Sequence, residues 1–124
     1  MKALFIGGTG TISTAISALC VERGWELYLL NRGNHPSDMP KGAHAIVADI
    51  NRMDDVRAKL DGMTFDVVAD FIAFTPEQVQ RDIQLFSGKT SQYFFISSAS
   101  AYQKPLASPV ITESTPLSNP FWQY

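Results

Sequence analysis

The stretch LFIGGTGTIST, residues 4–14, decides how the rest of the chain is read. An apolar run meets glycines at positions 7, 8 and 10, and the residues after them have the makings of a helix. A buried parallel strand reads as a near-continuous apolar run. A glycine turn between such a strand and a helix gathers free N–H groups and the positive helix end at one point. Gly7 suits the tight turn and Gly10 a close approach of backbone to a phosphate, with Thr11 and Ile12 opening the helix beside them. In this position the pattern is the expected fingerprint of a dinucleotide cradle. The third glycine of that pattern is absent. Ser13, the next smallest choice for close helix–strand packing, takes its place.

Outward from the loop, strand and helix signals alternate. Ile12, Ala15, Ile16 and Leu19 recur at helical spacing and are expected to face the core, with Gly24 closing the helix. WELYLL (25–30) and HAIVAD (44–49) read as strands two and three, joined by a loop over 31–42. Asn51 is placed to cap a short helix that turns Met53, Val56 and Leu60 inward. FDVVADFIAF (65–74) is a fourth, almost wholly apolar strand. Thr75-Pro76-Glu77-Gln78 is a strong helix start, with a capping box and proline at the first helical position. Val79, Ile83 and Phe86 are its expected inner face, and Gly88 its end. QYFFIS (92–97) is the fifth strand. Beyond Ser98, prolines at 105, 109, 116 and 120 among many Ser and Thr residues exclude a continuous element and predict a long irregular loop. The alternation predicts an α/β fold, a Rossmann-like open parallel sheet in the order 3-2-1-4-5 with helices on both faces.

Composition narrows the function classes. Hydrophobic residues make up 45% and charged residues 18% of 124, enough for one core and one domain, residues 1–124. A net charge of −2 with scattered basic residues argues against a nucleic-acid surface. The single cysteine, Cys20, excludes an internal disulfide and is expected to be an inert buried thiol; no metal site is expected. No apolar run is long enough to span a bilayer, and no signal-peptide core stands behind the first residues, so a cytoplasmic protein is expected.

In an open parallel sheet, ligands bind beyond the carboxyl ends of the strands, where the strand order reverses. Strand two ends in Asn31-Arg32, with no acidic residue to accept from ribose hydroxyls. An arginine there suits a 2′-phosphate, so NADP is favoured over NAD. Asp49 and Ile50 end strand three, where they either bracket the adenine or, for Asp49, cap the next helix. Phe71, Ile72 and Ala73 lie at the end of strand four and are expected beside the cofactor. Asp70, inside that apolar strand, is expected to bond a neighbouring loop. His35 and His44 receive no role.

The pieces GGTGTIS, LLNR, VADI, DFIAF and SSASAY…ITESTPL…Y occur in the order found in one family. The chain resembles the N-terminal part of the extended and atypical short-chain dehydrogenases/reductases, the NAD-dependent epimerase/dehydratase group. The resemblance runs through the whole chain yet covers only the first part of a typical member, so these residues are expected to be a piece of a longer enzyme. It implies hydride transfer at an alcohol or carbonyl carbon, with a nucleotide sugar or related small molecule as substrate. Ser98, four residues before Tyr102, matches the family serine that holds the substrate oxygen, with Ser97 and Ser100 as alternatives. Tyr124, after the proline-containing loop, matches the catalytic tyrosine, with Tyr102 as the alternative. The lysine four residues after that tyrosine in the family would lie beyond residue 124. A tyrosine with a pKa of about 10 is a slow base near neutrality. A lysine ammonium beside it favours the phenolate. The crossover between strands four and five is short for the extended members, which fits an atypical branch.

Two functions are compatible with these residues: an epimerase, dehydratase or reductase, and a non-catalytic NADP-binding regulatory or sensing module. By either, residues 1–124 are expected to bind cofactor but to turn over little. A third, RNA binding after the chloroplast stem-loop-binding relatives, is opposed by the acidic balance. No nucleic acid or membrane partner is expected. The fifth strand would form an apolar sheet edge, so self-association into a homodimer is expected.

Overall fold

The computed structural model describes residues 1–34 and 38–121. Five strands form one sheet: β1 (Lys2–Ile6), β2 (Glu26–Asn31), β3 (His44–Val47), β4 (Phe65–Asp70) and β5 (Thr90–Phe95). The order is β3-β2-β1-β4-β5, every pair parallel, as the alternating pattern predicts. Among the described residues, three α-helices join them: α1 (Thr11–Glu22), α2 (Met53–Lys59) and α3 (Pro76–Phe86). Successive strand residues point to opposite faces, so Ala3 and Phe5 pack on the α1 side with Cys20, Leu27, Leu29 and Ala69. Leu4 and Ile6 pack on the other side with Leu30, Val68, Val56 and Leu60 of the α2 segment, and Leu85 and Phe86 of α3. Helices therefore cover both faces. Among the described residues, no helix is long and apolar enough to cross a membrane.

Helix α1 is rotated from the expected orientation. Ile12, Ile16 and Leu19 are exposed and Ala15 is too, while Ser13, Ser17 and Cys20 face the sheet. The physical reason is hydrogen bonding to the glycine loop: Ser13 Oγ donates to the Gly7 carbonyl at 2.8 Å and Ser17 Oγ to the Gly8 carbonyl at 3.1 Å. Small side chains also let the helix lie close to β1 and β2. Helix α3 differs in the same way. Ile83 is exposed, and Asp82, Leu85 and Phe86 are buried, because Asp82 is held inside by Arg81 and Tyr93. The Thr75–Gln78 capping box is present as expected.

Strand β4 stops at Asp70, four residues short of the expected end. Asp70 Oδ1 accepts the N–H groups of Ile72 at 2.6 Å and Ala73 at 2.7 Å, which turns the chain out of the sheet. The loop-bonding role expected of Asp70 is what the structure shows. Asn51 does not cap α2; Arg52 is the N-cap residue, and the Asn51 side chain is engaged by Arg81 instead. Cys20 is buried, and that burial raises its pKa. His44 stacks on Tyr28, with ring centroids 4.9 Å apart; His35 lies outside the described residues. Past β5 the chain makes one 3-10 turn, Ala99–Ala101, and then folds back on itself irregularly. Gln103 N–H reaches the Pro116 carbonyl and Lys104 N–H the Ser118 carbonyl.

Candidate functional site

At the carboxyl edge of the sheet, Ile46, Leu30, Ile6, Asp70 and Phe95 align in one cross-strand row. A cleft of about 520 Å³ opens there, between the two directions in which the strand order departs from β1. Its floor is the glycine loop. Gly7 has φ of +79°, and a Cβ on it would come within 2.3 Å of Ile72 Cγ2, so only glycine fits. Gly10 is the N-cap of α1, and a Cβ there would meet nothing closer than Ser13 Oγ at 3.4 Å. The first N–H groups of a helix have no partner within it and carry its positive dipole end, and α1 starts from Gly10, which lines the cleft.

Ser13 does more than occupy a small space. Its oxygen accepts the Gly10 N–H at 2.8 Å while its proton goes to the Gly7 carbonyl. The residue at the missing-glycine position thus staples the two ends of the loop. A serine at that place in the sequence was the available signal, but its spacing alone reads as a size substitution.

The side walls come from strand ends. Asn31 Oδ1 accepts the Gly33 N–H at 2.8 Å, closing a turn in which Gly33 has φ of +76°. Arg32, between them, is exposed at the cleft. Asp49 Oδ1 accepts the Asn51 N–H at 2.9 Å, an Asx turn that shapes the end of β3. Ile50 is buried, and Ile72 forms the opposite wall at 51% exposure. Gly7, Gly10, Asn31, Arg32, Asp49, Ile50 and Ile72 therefore line one cleft. Thr9, Asn34 and Asn51 line it as well, which the sequence pattern did not signal.

The other expected residues stand elsewhere. Thr11 and Ile12 lie just past the N-cap with side chains exposed, outside the cleft lining. Phe71 turns back into the α1-side core and meets Phe5 edge-on at 5.2 Å. Ala73 is buried, its N–H bound to Asp70. Ser98 is exposed beyond β5, where its Oγ accepts the Ser100 N–H and donates to Ser100 Oγ, both at 3.1 Å. It caps the 3-10 turn and does not line the cleft. Tyr124 lies outside the described residues.

Behind the cleft is a buried charge cluster, which apart from Asp70 the sequence pattern did not signal either. Asp70 and Asp82 are wholly buried, with Arg81 between them. Burial, and then the neighbouring Asp82 carboxylate, push the Asp70 pKa up to about 6, against the pull of the Ile72 and Ala73 N–H groups. Tyr93, packed beside Asp82, is raised well above its ordinary value by burial and by that carboxylate. Every buried side-chain nitrogen and oxygen among the described residues has a partner.

No family model matches the chain. It is similar to the chloroplast stem-loop binding protein of 41 kDa b from Arabidopsis thaliana, 29% identical over 116 residues, covering 83% of this chain and 30% of that protein. Its structure is similar to a UDP-glucose 4-epimerase at a TM-score of 0.78 and 20% identity, covering 97% of this chain and 42% of that one. A UDP-Glc/GlcNAc 4-epimerase from Campylobacter jejuni gives a TM-score of 0.77 at 18% identity, over 95% of this chain and 43% of its own. The Bordetella bronchiseptica enzyme WbmG, solved in complex with NAD, gives 0.76 at 14% identity, over 96% and 44%. The chain thus has the Rossmann-like fold of these three solved proteins and spans less than half the length of each of them and of the chloroplast relative.

Proposed function

We propose that residues 1–124 are the NAD(P)-binding unit of an epimerase, dehydratase or reductase of the NAD-dependent epimerase/dehydratase group. The observation that carries this reading is the cleft at the strand reversal, where a side-chain-free glycine floor, a helix start, Arg32 and Asp49 converge. These residues fit a dinucleotide. The bare backbone of Gly7 and Gly10 and the α1 start suit the pyrophosphate. The Asp49 carboxylate, at the cleft wall, suits a base amino group. Arg32, exposed and cationic, suits a 2′-phosphate, which favours NADP over NAD.

When bound, the nicotinamide would take or give hydride at an alcohol or carbonyl carbon of a nucleotide sugar or related small molecule. By family resemblance, the chain's own part is to hold the substrate oxygen with Ser98 and to move its proton with Tyr124. A cytoplasmic location and the absence of a nucleic-acid partner belong to the same reading, the latter resting on the net charge of −2.

The second reading, a nucleotide-binding module without catalysis, is favoured by one observation: the Ser98 hydroxyl is spent on Ser100 and lies outside the cleft. Calorimetric titration of the chain with NADP and with NAD tests what both share. Heat of binding with NADP is expected, and no heat with either nucleotide overturns both. Robust turnover of a sugar nucleotide by residues 1–124 would overturn the expectation that this segment only binds.

A further inference from the structure

The cleft is walled by two loops that are far apart in sequence, residues 49–51 after β3 and residues 71–73 after β4. Each is tied to the buried charge cluster. Asp70 Oδ1 holds the 71–73 turn through the N–H groups of Ile72 and Ala73, and so sets Ile72 over Gly7. Its other oxygen faces Arg81 Nη2 at 3.5 Å. Arg81 Nε and Nη2 reach Asp82 Oδ1 at 2.9 and 2.8 Å, and Tyr93 donates to Asp82 Oδ2 at 2.7 Å. This leaves Arg81 Nη1, which donates to Asn51 Oδ1 at 2.8 Å. The Asn51 N–H is in turn held by Asp49.

We propose that Arg81 is a positioning residue for nucleotide binding, a brace that ties loop 49–51 to the buried acids holding loop 71–73 and so fixes both walls of the cleft in one geometry. The inference rests on the nucleotide-binding role proposed for the cleft.

The chemistry selects arginine for this place. Two buried carboxylates need a cation, and a planar guanidinium can serve both while keeping one edge free for a third acceptor. A lysine ammonium has no such fork. A cluster that only stabilised the α3 packing would need no bond to an exposed loop residue 30 positions earlier in the chain. Asn51 sits where a brace is wanted, lining the cleft while its side chain is turned to Arg81.

The test is calorimetric titration with NADP of the unmodified chain, Asn51→Ala, Arg81→Met, the double variant and Arg81→Lys. Thermal unfolding without nucleotide is recorded for each. Loss of one charge-assisted bond that orders a wall is expected to weaken NADP by roughly 5- to 20-fold in each single variant. The double variant should be no weaker than Arg81→Met, because one shared bond is lost only once. Arg81→Lys keeps a cation between the two carboxylates but lacks the fork that reaches Asn51, so it should weaken NADP to about the same extent as Asn51→Ala. The Asn51→Ala unfolding midpoint should fall by only a few degrees, the cost of one hydrogen bond, and titration well below that midpoint separates its loss of affinity from a loss of fold. Should Arg81→Met fail to fold, similar weakening in Asn51→Ala and Arg81→Lys carries the proposal, and any other pattern overturns it. Losses that multiply in the double variant, or an Asn51→Ala affinity equal to the unmodified chain's, overturn the brace alone. No binding by the unmodified chain to NADP or NAD overturns the nucleotide reading, and the brace with it.

Discussion

The Ser13 hydroxyl donates to the Gly7 carbonyl across 2.8 Å while accepting the Gly10 N–H at the same distance. Both ends of the glycine loop are thus joined by a side chain that stands where the usual pattern has glycine. Ser13→Ala removes both bonds and is expected to cost about 1–2 kcal/mol of stability, measured by urea unfolding. Ser13→Gly restores the usual residue yet should lose as much. If Ser13→Gly is as stable as the unmodified chain, the staple contributes nothing.

Gly7 and Ile72 make a second close pair. Gly7→Ala places a Cβ 2.3 Å from Ile72 Cγ2, in a backbone conformation at φ +79°. The left-handed conformation alone costs about 1–2 kcal/mol, and the overlap adds to it. Pairing Gly7→Ala with Ile72→Ala should recover the overlap part only. Full recovery in thermal unfolding would show that the backbone is not strained there.

Asp70 predicts a pH dependence with a definite sign. Its pKa in the fold is raised to about 6 from an ordinary 3.8. The folded chain therefore takes up this proton before the unfolded chain does, as pH falls. The stability linked to it is fully present below about pH 4 and is lost as pH rises through about 6. Relative to Asp70→Asn, the unmodified chain should gain on the order of 1–3 kcal/mol between about pH 6.5 and about pH 4. Parallel pH profiles of the two proteins in urea unfolding would count against the raised pKa.

Arg32 sets the nucleotide preference in the proposed function. Arg32→Ala should weaken NADP by about tenfold or more through loss of a charge-assisted contact, with NAD nearly unchanged. The comparison is made by titration with each nucleotide. An equal loss for both would mean that Arg32 meets the shared pyrophosphate, not a 2′-phosphate.

Strand β5 is a sheet edge with Phe94 and Phe95 each more than two-fifths exposed. An apolar edge invites strand pairing, so light scattering of residues 1–124 should show concentration-dependent association. Phe95→Lys should reduce it. A monomer at every concentration would remove the homodimer from the reading.

Local sequence carries the architecture. The apolar runs ending at glycine or a polar residue, and the capped segment from Thr75, encode the strand and helix order, and a parallel sheet is the consequence of that order. Most of the cleft is legible too: Gly7, Gly10, Asn31, Arg32, Asp49 and Ile50 could be named because each ends a strand or begins a helix. Helix orientation was not legible. Apolar spacing pointed to Ile12, Ile16 and Leu19, while the tertiary structure turned Ser13 and Ser17 inward, because bonds to loop carbonyls cannot be read from hydrophobic period. Nor was the Asp70–Arg81–Asp82–Tyr93 cluster legible, nor its link to Asn51. These residues come from β4, α3, β5 and a loop, and only folding brings opposite charges distant in sequence into one dry place where they must pair.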